Sequence, residues 1–185
     1  MLDTRSKLSH LSVAFHWVIG LGMIAMIAFG LLLDSIPKEG RGFWVGLHKE
    51  FGVLLLALAT ARLIWRLRNG FPLAAAVYKA WERSLAGVTH WLLLVATLLM
   101  PVSGLVMSIG GGRPTNVFGL FTIPALAEKN KLLNGVGHEV HEILGYVLIV
   151  AIGLHVAGAL KHHIMDGDGT LRRMAGARIA PPTEA

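Results

Sequence analysis

The sequence predicts an all-α integral membrane protein, a four-helix bundle, from its composition and from four long apolar stretches. Of its 185 residues, 54% are hydrophobic, and the mean hydropathy is +0.61. A soluble domain of this size could not bury so much apolar surface. The stretches do not alternate polar and apolar side chains as the strands of a membrane barrel do, so helices are the expected spanning elements.

Each apolar stretch is long enough to cross a bilayer, whose hydrocarbon core of about 30 Å needs about 20 helical residues. The predicted spans are residues 11–33, 43–67, 85–109 and 140–160. The second span is the least apolar, because four charged side chains fall within it. Residues 1–165 are therefore predicted to form one membrane domain. Residues 166–185, rich in Gly, Arg and Pro, are predicted to be a cytoplasmic tail that is ordered only in part.

Basic residues predict the orientation of the bundle. The connection between the second and third spans is flanked by Arg62, Arg66, Arg68, Lys79 and Arg83. The tail is also basic, whereas the other two loops mix charges of both signs. The positive-inside rule then places both termini in the cytoplasm. The net charge of +6 mostly reflects this asymmetry, and no stretch interleaves basic and aromatic residues as in a nucleic-acid binder, so nucleic acid is not an expected partner.

The first span is predicted to stay in the mature protein, because it is too long for a signal-peptide core and no small-residue cleavage site follows it. The longest connection is expected at 110–137. Pro114, Pro124 and a run of three glycines argue against a continuous helix there. Its apolar residues could lie on the membrane surface or cap a pocket, or the segment could be an ordinary surface loop.

Histidines on the fourth span point to a buried cofactor. His141 and His155 are 14 residues apart. A helix turns by about 100° per residue, so both imidazoles leave the same helix face, about 21 Å apart along the axis. Histidine is costly inside a membrane, so a ladder of such residues indicates function.

The direction of each span converts these positions into depths. His16 and His155 are predicted to lie near the cytoplasmic side, and His48 and His141 near the periplasmic side. Two imidazoles from different helices at one depth are what bis-histidine ligation of haem in a bundle requires. A single membrane histidine would more often bond a neighbouring helix, and zinc would need three or four ligands at one depth. Two level pairs therefore predict two haem irons.

The absence of cysteine excludes disulfides, iron–sulfur clusters, thiolate-bound zinc and covalently attached c-type haem. Other polar residues have several interpretations. Arg62 and Arg66 are candidates to bind haem propionates, or else extend to lipid phosphate. His90 could contact a propionate, line a quinone pocket or be structural, and His138, His162 and His163 are expected at the membrane interface.

Short segments along nearly the whole chain carry a family resemblance. They are SVAFHW around His16, LHKEFGVLL around His48, ARLIWRL, MPVSGLVMS, VFGLFTIP, HEILGY around His141, GLH at His155, and ALKHH. In this combination and order the chain resembles the bacterial cytochrome b561 family of small, four-helix, di-haem cytochromes of the inner membrane. The resemblance implies that these four histidines are the axial ligands of two haem b groups, in agreement with the depth argument.

Bis-histidine ligation leaves no open position on iron, which favours electron transfer over oxygen binding. The resemblance implies an oxidoreductase that oxidises superoxide at the periplasmic face and reduces ubiquinone. Positive charge near the outer haem would attract the superoxide anion. Lys49, next to His48, is the best candidate for this role, and Arg113, Lys129 and Lys131 are further candidates that are otherwise ordinary loop charges.

The main alternative is a cytochrome b relay or anchor subunit, which would pass electrons between a partner dehydrogenase or hydrogenase and the quinone pool. Such subunits share the ligand arrangement, usually work beside large catalytic subunits, and can carry an additional helix. A haem-free membrane protein is the third possibility. The expected partners are thus membrane lipid, quinone, superoxide and, in the alternative, a redox protein.

Overall fold

Four long helices and a small hairpin make up the structure, a computed structural model that describes residues 3–76 and 78–180. The long helices are α1 (His10–Leu32), α2 (Lys38–Asn69), α3 (Ala80–Gly110) and α4 (Lys131–Ile164). The minor elements are a one-turn 3-10 helix (Leu33–Ser35), the antiparallel strands β1 (Thr115–Val117) and β2 (Phe121–Ile123), and α5 (Thr170–Met174). The mainly helical prediction is thereby confirmed.

Local sequence signals set the ends of the helices. Ser9 precedes α1, and its hydroxyl accepts a hydrogen bond from the Ser12 amide at 3.2 Å. Asn130 precedes α4 and accepts from the Leu133 amide at 3.0 Å. These side chains satisfy amides that the first turn leaves unpaired. At the end of α2, Gly70 has a φ of 71°, a backbone conformation that favours glycine.

The connection between α3 and α4 is shorter than predicted. The sequence led us to expect a loop over 110–137, but α4 begins at Lys131. The expectation was wrong because the Asn130 cap starts the helix well before the apolar stretch predicted at 140–160, and the first turns of α4 mix polar with apolar residues. Within the connection, β1 and β2 pair with Asn116 opposite Thr122. The two prolines and the glycines do prevent a continuous helix there.

Within the described residues, three helices are long and apolar enough to cross a membrane, namely those within His10–Ser35, Ala80–Gly110 and Lys131–Ile164. The remaining long helix, α2, has 32 residues but carries the most charge and is not among them. The structure therefore shows a helical membrane protein, and the role of α2 as a fourth span stays a prediction.

The centre of the bundle is a layer of apolar side chains to which every long helix contributes one buried residue. These are Met23, Leu55, Ala96 and Leu148. Around them α3 packs along α4, α2 against α3, and α1 against α2. The backbone of α4 approaches those of α1 and α2 at few points. The helix α4 therefore meets the first two helices through side chains, as in the ring contacts of His155 with His16 and of His141 with His48.

The described part of the tail packs against the rest of the chain. Arg173, 6% exposed, donates hydrogen bonds of 2.8 Å to the carbonyls of Arg5 and Leu73. The Trp17 indole donates to the Met174 carbonyl at 2.8 Å. Further along, the Ile179 amide donates to the Ser6 carbonyl at 2.9 Å, so the contacts of the tail extend to residue 179. The remaining tail residues for which partial order was predicted, 181–185, lie outside the described residues.

The C-terminal end of α3 and the N-terminal end of α4 touch at Gly137. A Cβ added at Gly137 would lie 2.5 Å from the Met107 amide nitrogen and 2.8 Å from its Cα. Backbone atoms cannot move aside as a flexible side chain can, so the two helices approach this closely only because residue 137 has no side chain.

We expect Gly137→Ala to destabilise the protein by about 1–3 kcal/mol, the usual cost of overpacking. Gly135→Ala is the matched control, because nothing lies within 4 Å of its added Cβ and alanine favours a helix. Thermal unfolding of the detergent-purified variants would check this. Equal melting temperatures for the two variants would contradict the close contact.

Candidate functional site

Three histidines and an arginine meet at one end of the bundle, which we call the inner cluster: His16, Arg62, His90 and His155. The ring centroids of His16 and His155 are 5.9 Å apart, and those of His90 and His155 are 5.2 Å apart. Arg62, half-buried, interacts electrostatically with all three imidazoles. The sequence offered no partner for His90, and the structure places it beside His155.

At the opposite end, His48 and His141 form what we call the outer pair, with ring centroids 6.3 Å apart. Phe29 lies edge-on to His48 at 5.4 Å. Each histidine also faces a glycine of another helix. A Cβ added at Gly30 would be 3.3 Å from His48 Cε1, and one at Gly104 would be 3.1 Å from His141 Cε1. Both glycines therefore give room to an imidazole.

A backbone carbonyl orients His141. Its Nδ1 lies 2.9 Å from the Met100 carbonyl oxygen, which can only accept, so Nδ1 carries the proton. Ser103 Oγ lies 3.1 Å from the same nitrogen. This leaves Nε2 with its lone pair free to bind a metal, the arrangement in which a second partner fixes the ring of a metal-binding histidine. By contrast, His48 Nδ1 is buried and has no hydrogen-bond partner among the described residues.

A spacing of 14 residues recurs on all four long helices, and it links the two ends of the bundle. Each inner residue has an outer counterpart on the same helix face: His16 and Gly30, Arg62 and His48, His90 and Gly104, His155 and His141. Sequence reasoning used this spacing only for α4 and therefore did not relate these two glycines to the histidines. Extending it from His16 and His90 would have found them.

The second arginine near the inner end has a partner of its own. Arg66 Nη1 lies 2.8 Å from Asp3 Oδ2, and both side chains are 8% exposed. Asp3 also accepts bonds from the Ser9 amide at 2.8 Å and the Ser12 hydroxyl at 2.7 Å. The structure thus commits Arg66 to the N-terminal segment, and Arg62 remains the candidate for a cofactor carboxylate.

Lys49, the candidate for attracting an anion, lies beside a basic cavity at the outer end. Its Nζ donates to the Pro114 carbonyl at 2.6 Å, which draws the ammonium toward the hairpin. The cavity has a volume of about 530 Å³. Its charged lining residues are Lys38, Arg41, Lys49, Glu50 and Arg113. Lys129 and Lys131 line a second cavity of about 260 Å³, which Arg113 also borders.

Three further histidines, His138, His162 and His163, belong to neither the inner cluster nor the outer pair. His138 is 61% exposed and lies 3.8 Å from Glu142. His162 Nδ1 lies 2.7 Å from Asp166 Oδ2, and its ring contacts Tyr78 at 4.4 Å. His163 is exposed. In keeping with the expectation for the membrane interface, all three lie near the ends of α4.

Known proteins of one family share this sequence over almost its whole length. The family described as prokaryotic cytochrome b561 matches residues 7–177. The chain belongs to the prokaryotic cytochrome b561 family. It is 31% identical to Cytochrome b561 homolog 2 of Escherichia coli strain K12, over 94% of each chain. It is 27% identical to the Probable superoxide oxidase CybB of Yersinia pestis, over 92% of this chain and 96% of the relative.

A third relative, Cytochrome b561 homolog 1 of Escherichia coli strain K12, is 26% identical over 94% of this chain and 99% of the relative. Membership makes this cytochrome b561 a bacterial membrane protein of electron transport that binds b-type haem. The family resemblance drawn from the sequence is therefore confirmed.

The histidine pairs suit a haem iron. An imidazole nitrogen lies about 2 Å from a bound metal, so the centroids of two rings on opposite sides of one ion are roughly 6 Å apart. The 5.9 Å and 6.3 Å separations agree with this value. The glycines facing the outer imidazoles and the distance of the α4 backbone from α1 and α2 also leave room for a flat ring system. The residues present thus fit the cofactor of the family.

The Asp3–Arg66 pair of this cytochrome b561 yields a test of stability. We expect Asp3→Ala to cost about 3–5 kcal/mol, since it leaves a buried guanidinium without its partner. Asp34→Ala is the control, because the Asp34 side chain is 97% exposed and 3.9 Å from Arg41, and it should cost less than about 1 kcal/mol. Thermal unfolding in detergent measures both, and similar losses would argue against a structural role for the Asp3–Arg66 pair.

The same pair predicts a pH dependence. Burial alone raises the pKa of Asp3, but hydrogen bonds from Arg66, Ser9 and Ser12 outweigh it and hold that pKa below its usual value. The stabilisation is therefore complete above about pH 4, the unfolded pKa, and is lost as the pH falls through the lower folded pKa. Asp3→Ala should lack this acid-dependent part of the unfolding free energy.

Proposed function

We propose that this cytochrome b561 holds two b-type haems in four spanning helices, oxidises superoxide at its periplasmic face and reduces ubiquinone in the bacterial inner membrane. The observation that carries the proposal is the pair of interhelical histidine contacts at opposite ends of one bundle, with a basic cavity beside the outer pair. In this proposal His16 and His155 bind the inner haem, and His48 and His141 the outer one.

The position of α2 supports a fourth span. Its 32 residues extend about 48 Å at 1.5 Å per residue, more than a bilayer core requires. Its charges leave residues 51–61 uncharged at the centre, where Leu55 and Ala59 are buried. A short turn joins α2 to α1, which makes the two helices antiparallel neighbours. With the basic loop inside, both termini are then cytoplasmic.

The haem would supply one-electron transfer at an iron with no open coordination position. The protein's own groups hold and shield it. Met100 keeps the proton of His141 on Nδ1, so Nε2 can bind. Arg62 places a positive charge at the inner cluster, where it can pair with a propionate, and His90 lies close enough to His155 to contact the same cofactor. The central apolar layer excludes water between the two ends.

At the outer end, Lys49 and its neighbours favour an anionic substrate. Lys38, Arg41, Lys49 and Arg113 outnumber Glu50 around the cavity. Clefts lined by one sign of charge raise the local concentration of the opposite ion. The relative named as a probable superoxide oxidase points to superoxide as that anion. Two superoxide ions would give up one electron each and leave as O₂, and ubiquinone would take both electrons with two protons to form ubiquinol.

The ligand assignment predicts the haem content of variants. We expect His48→Ala to retain about one haem per chain, because the inner cluster is intact. We expect His16→Ala to lose the inner haem and to retain about one haem as well. His138→Ala should retain both, since the His138 side chain is 61% exposed and lies beside Glu142. Pyridine haemochrome assay against protein concentration measures the ratio. A wild-type ratio near one haem per chain would refute the di-haem proposal.

Lys49 should affect the rate with superoxide rather than haem content. We expect Lys49→Gln to reduce the second-order rate constant for haem reduction by superoxide about 3- to 10-fold and to weaken its dependence on ionic strength. Lys131→Gln, which removes the same charge from the second cavity, is the matched control. Stopped-flow absorbance with and without superoxide dismutase and quinone measures the rates. Equal effects of both substitutions would count against a local role of Lys49.

The same experiment separates the alternative function. Prompt reduction of the haems by ubiquinol without any reduction by superoxide would overturn the oxidase proposal. It would leave a relay subunit whose electrons are exchanged with a partner dehydrogenase or hydrogenase.

A further inference from the structure

A buried hydroxyl in the outer hairpin has no partner. Thr115 is 2% exposed, and its Oγ1 makes no hydrogen bond to any described residue. A buried hydroxyl without a partner lowers stability, so proteins rarely keep one unless something else binds it. Threonine could be replaced there by the isosteric valine, which has no such cost. The buried hydroxyl is therefore explained by a hydrogen bond to a ligand that is not part of the protein chain.

Contacts with α2 place Thr115 close to the outer pair. Lys49, adjacent to His48, donates to the carbonyl of Pro114 at 2.6 Å. The Phe118 amide donates to Glu50 Oε2 at 3.3 Å, and the rings of Phe118 and Phe51 lie 5.4 Å apart. β1 is thus held on the segment of α2 that directly follows His48.

The pleat of β1 decides which side chains face the bundle. Successive side chains of a strand point to opposite faces. Thr115 and Val117 are buried, whereas Asn116 between them is exposed and lines the basic cavity. Thr115 therefore points from the hairpin toward the helices. Among the described residues at the outer end, one other buried side-chain polar atom has no partner, and it is His48 Nδ1.

We infer that the Thr115 hydroxyl donates a hydrogen bond to a propionate carboxylate of the haem at the outer pair. Haem b carries two anionic propionates, and a hydroxyl donor to a carboxylate is a strong hydrogen bond. The inner cluster has Arg62 for such a carboxylate, whereas the nearby Lys49 ammonium is already bonded to main-chain oxygens. Thr115 is then a positioning residue of the outer haem. The inference depends on the two-haem proposal.

Thr115→Val is the test, because it removes the hydroxyl and keeps the shape. Without this donor the propionate charge is less compensated, which favours the ferric state. We expect the midpoint potential of the outer haem to fall and that of the inner haem to stay unchanged. We also expect transfer of the outer haem to excess apomyoglobin to become roughly 10-fold faster, as for the loss of one charge-assisted hydrogen bond.

Two variants serve as controls. Thr115→Ser restores a hydroxyl and should restore the potential of the outer haem. Thr122→Val removes the hydroxyl of an exposed residue opposite Asn116 on the same hairpin and should change neither haem. Redox titration of the detergent-purified holoprotein, followed at the haem absorbance bands, gives both potentials.

Failure of this inference differs from failure of the two-haem proposal. If wild type binds two haems and Thr115→Val has wild-type potentials and transfer rates, the inference is wrong and a buried water is the partner of Thr115. If wild type binds one haem and His48→Ala does not change that ratio, the outer site itself is refuted.

Discussion

Polar imidazole rings held inside an apolar bundle are the constraint on which the other features depend. An imidazole costs free energy at such depths unless its nitrogens are bound. The protein meets this demand in different ways: Met100 binds one nitrogen of His141, whereas His48 Nδ1 has no protein partner among the described residues. Glycines at 30 and 104 lie opposite these rings, where an added Cβ would be 3.3 Å and 3.1 Å from the imidazoles and would press on them.

The apolar layer between the two ends gives the bundle its stability and separates the two histidine sites. Met23, Leu55, Ala96 and Leu148 meet there, one from each long helix. Since a layer so packed excludes water, ions and protons cannot pass freely between the two ends. The same layer fixes the four helices relative to one another. The residues that are 14 positions apart therefore lie at the same two levels on every helix.

The two ends differ in what surrounds the imidazoles. At the inner end, the N-terminal segment and the tail close over the helices through Asp3 and Arg173. At the outer end, a hairpin held by Lys49 and Phe51 borders an open basic cavity. A charged small substrate therefore finds its most favourable approach at the outer end, consistent with the proposed oxidation of superoxide there.

The sequence by itself determined the helical membrane class and the family, and it predicts the depth of each histidine, because hydropathy and helical periodicity are local properties of the chain. Only the tertiary structure decided which residues complete the sites. Asp3 and Arg66 are 63 positions apart, and nothing in their spacing indicates a pair. The neighbours of Thr115 and of His90 lie on other helices, α2 and α4, which reach them only when the chain folds. Contacts of that kind depend on how helices pack, whereas periodicity along one helix does not.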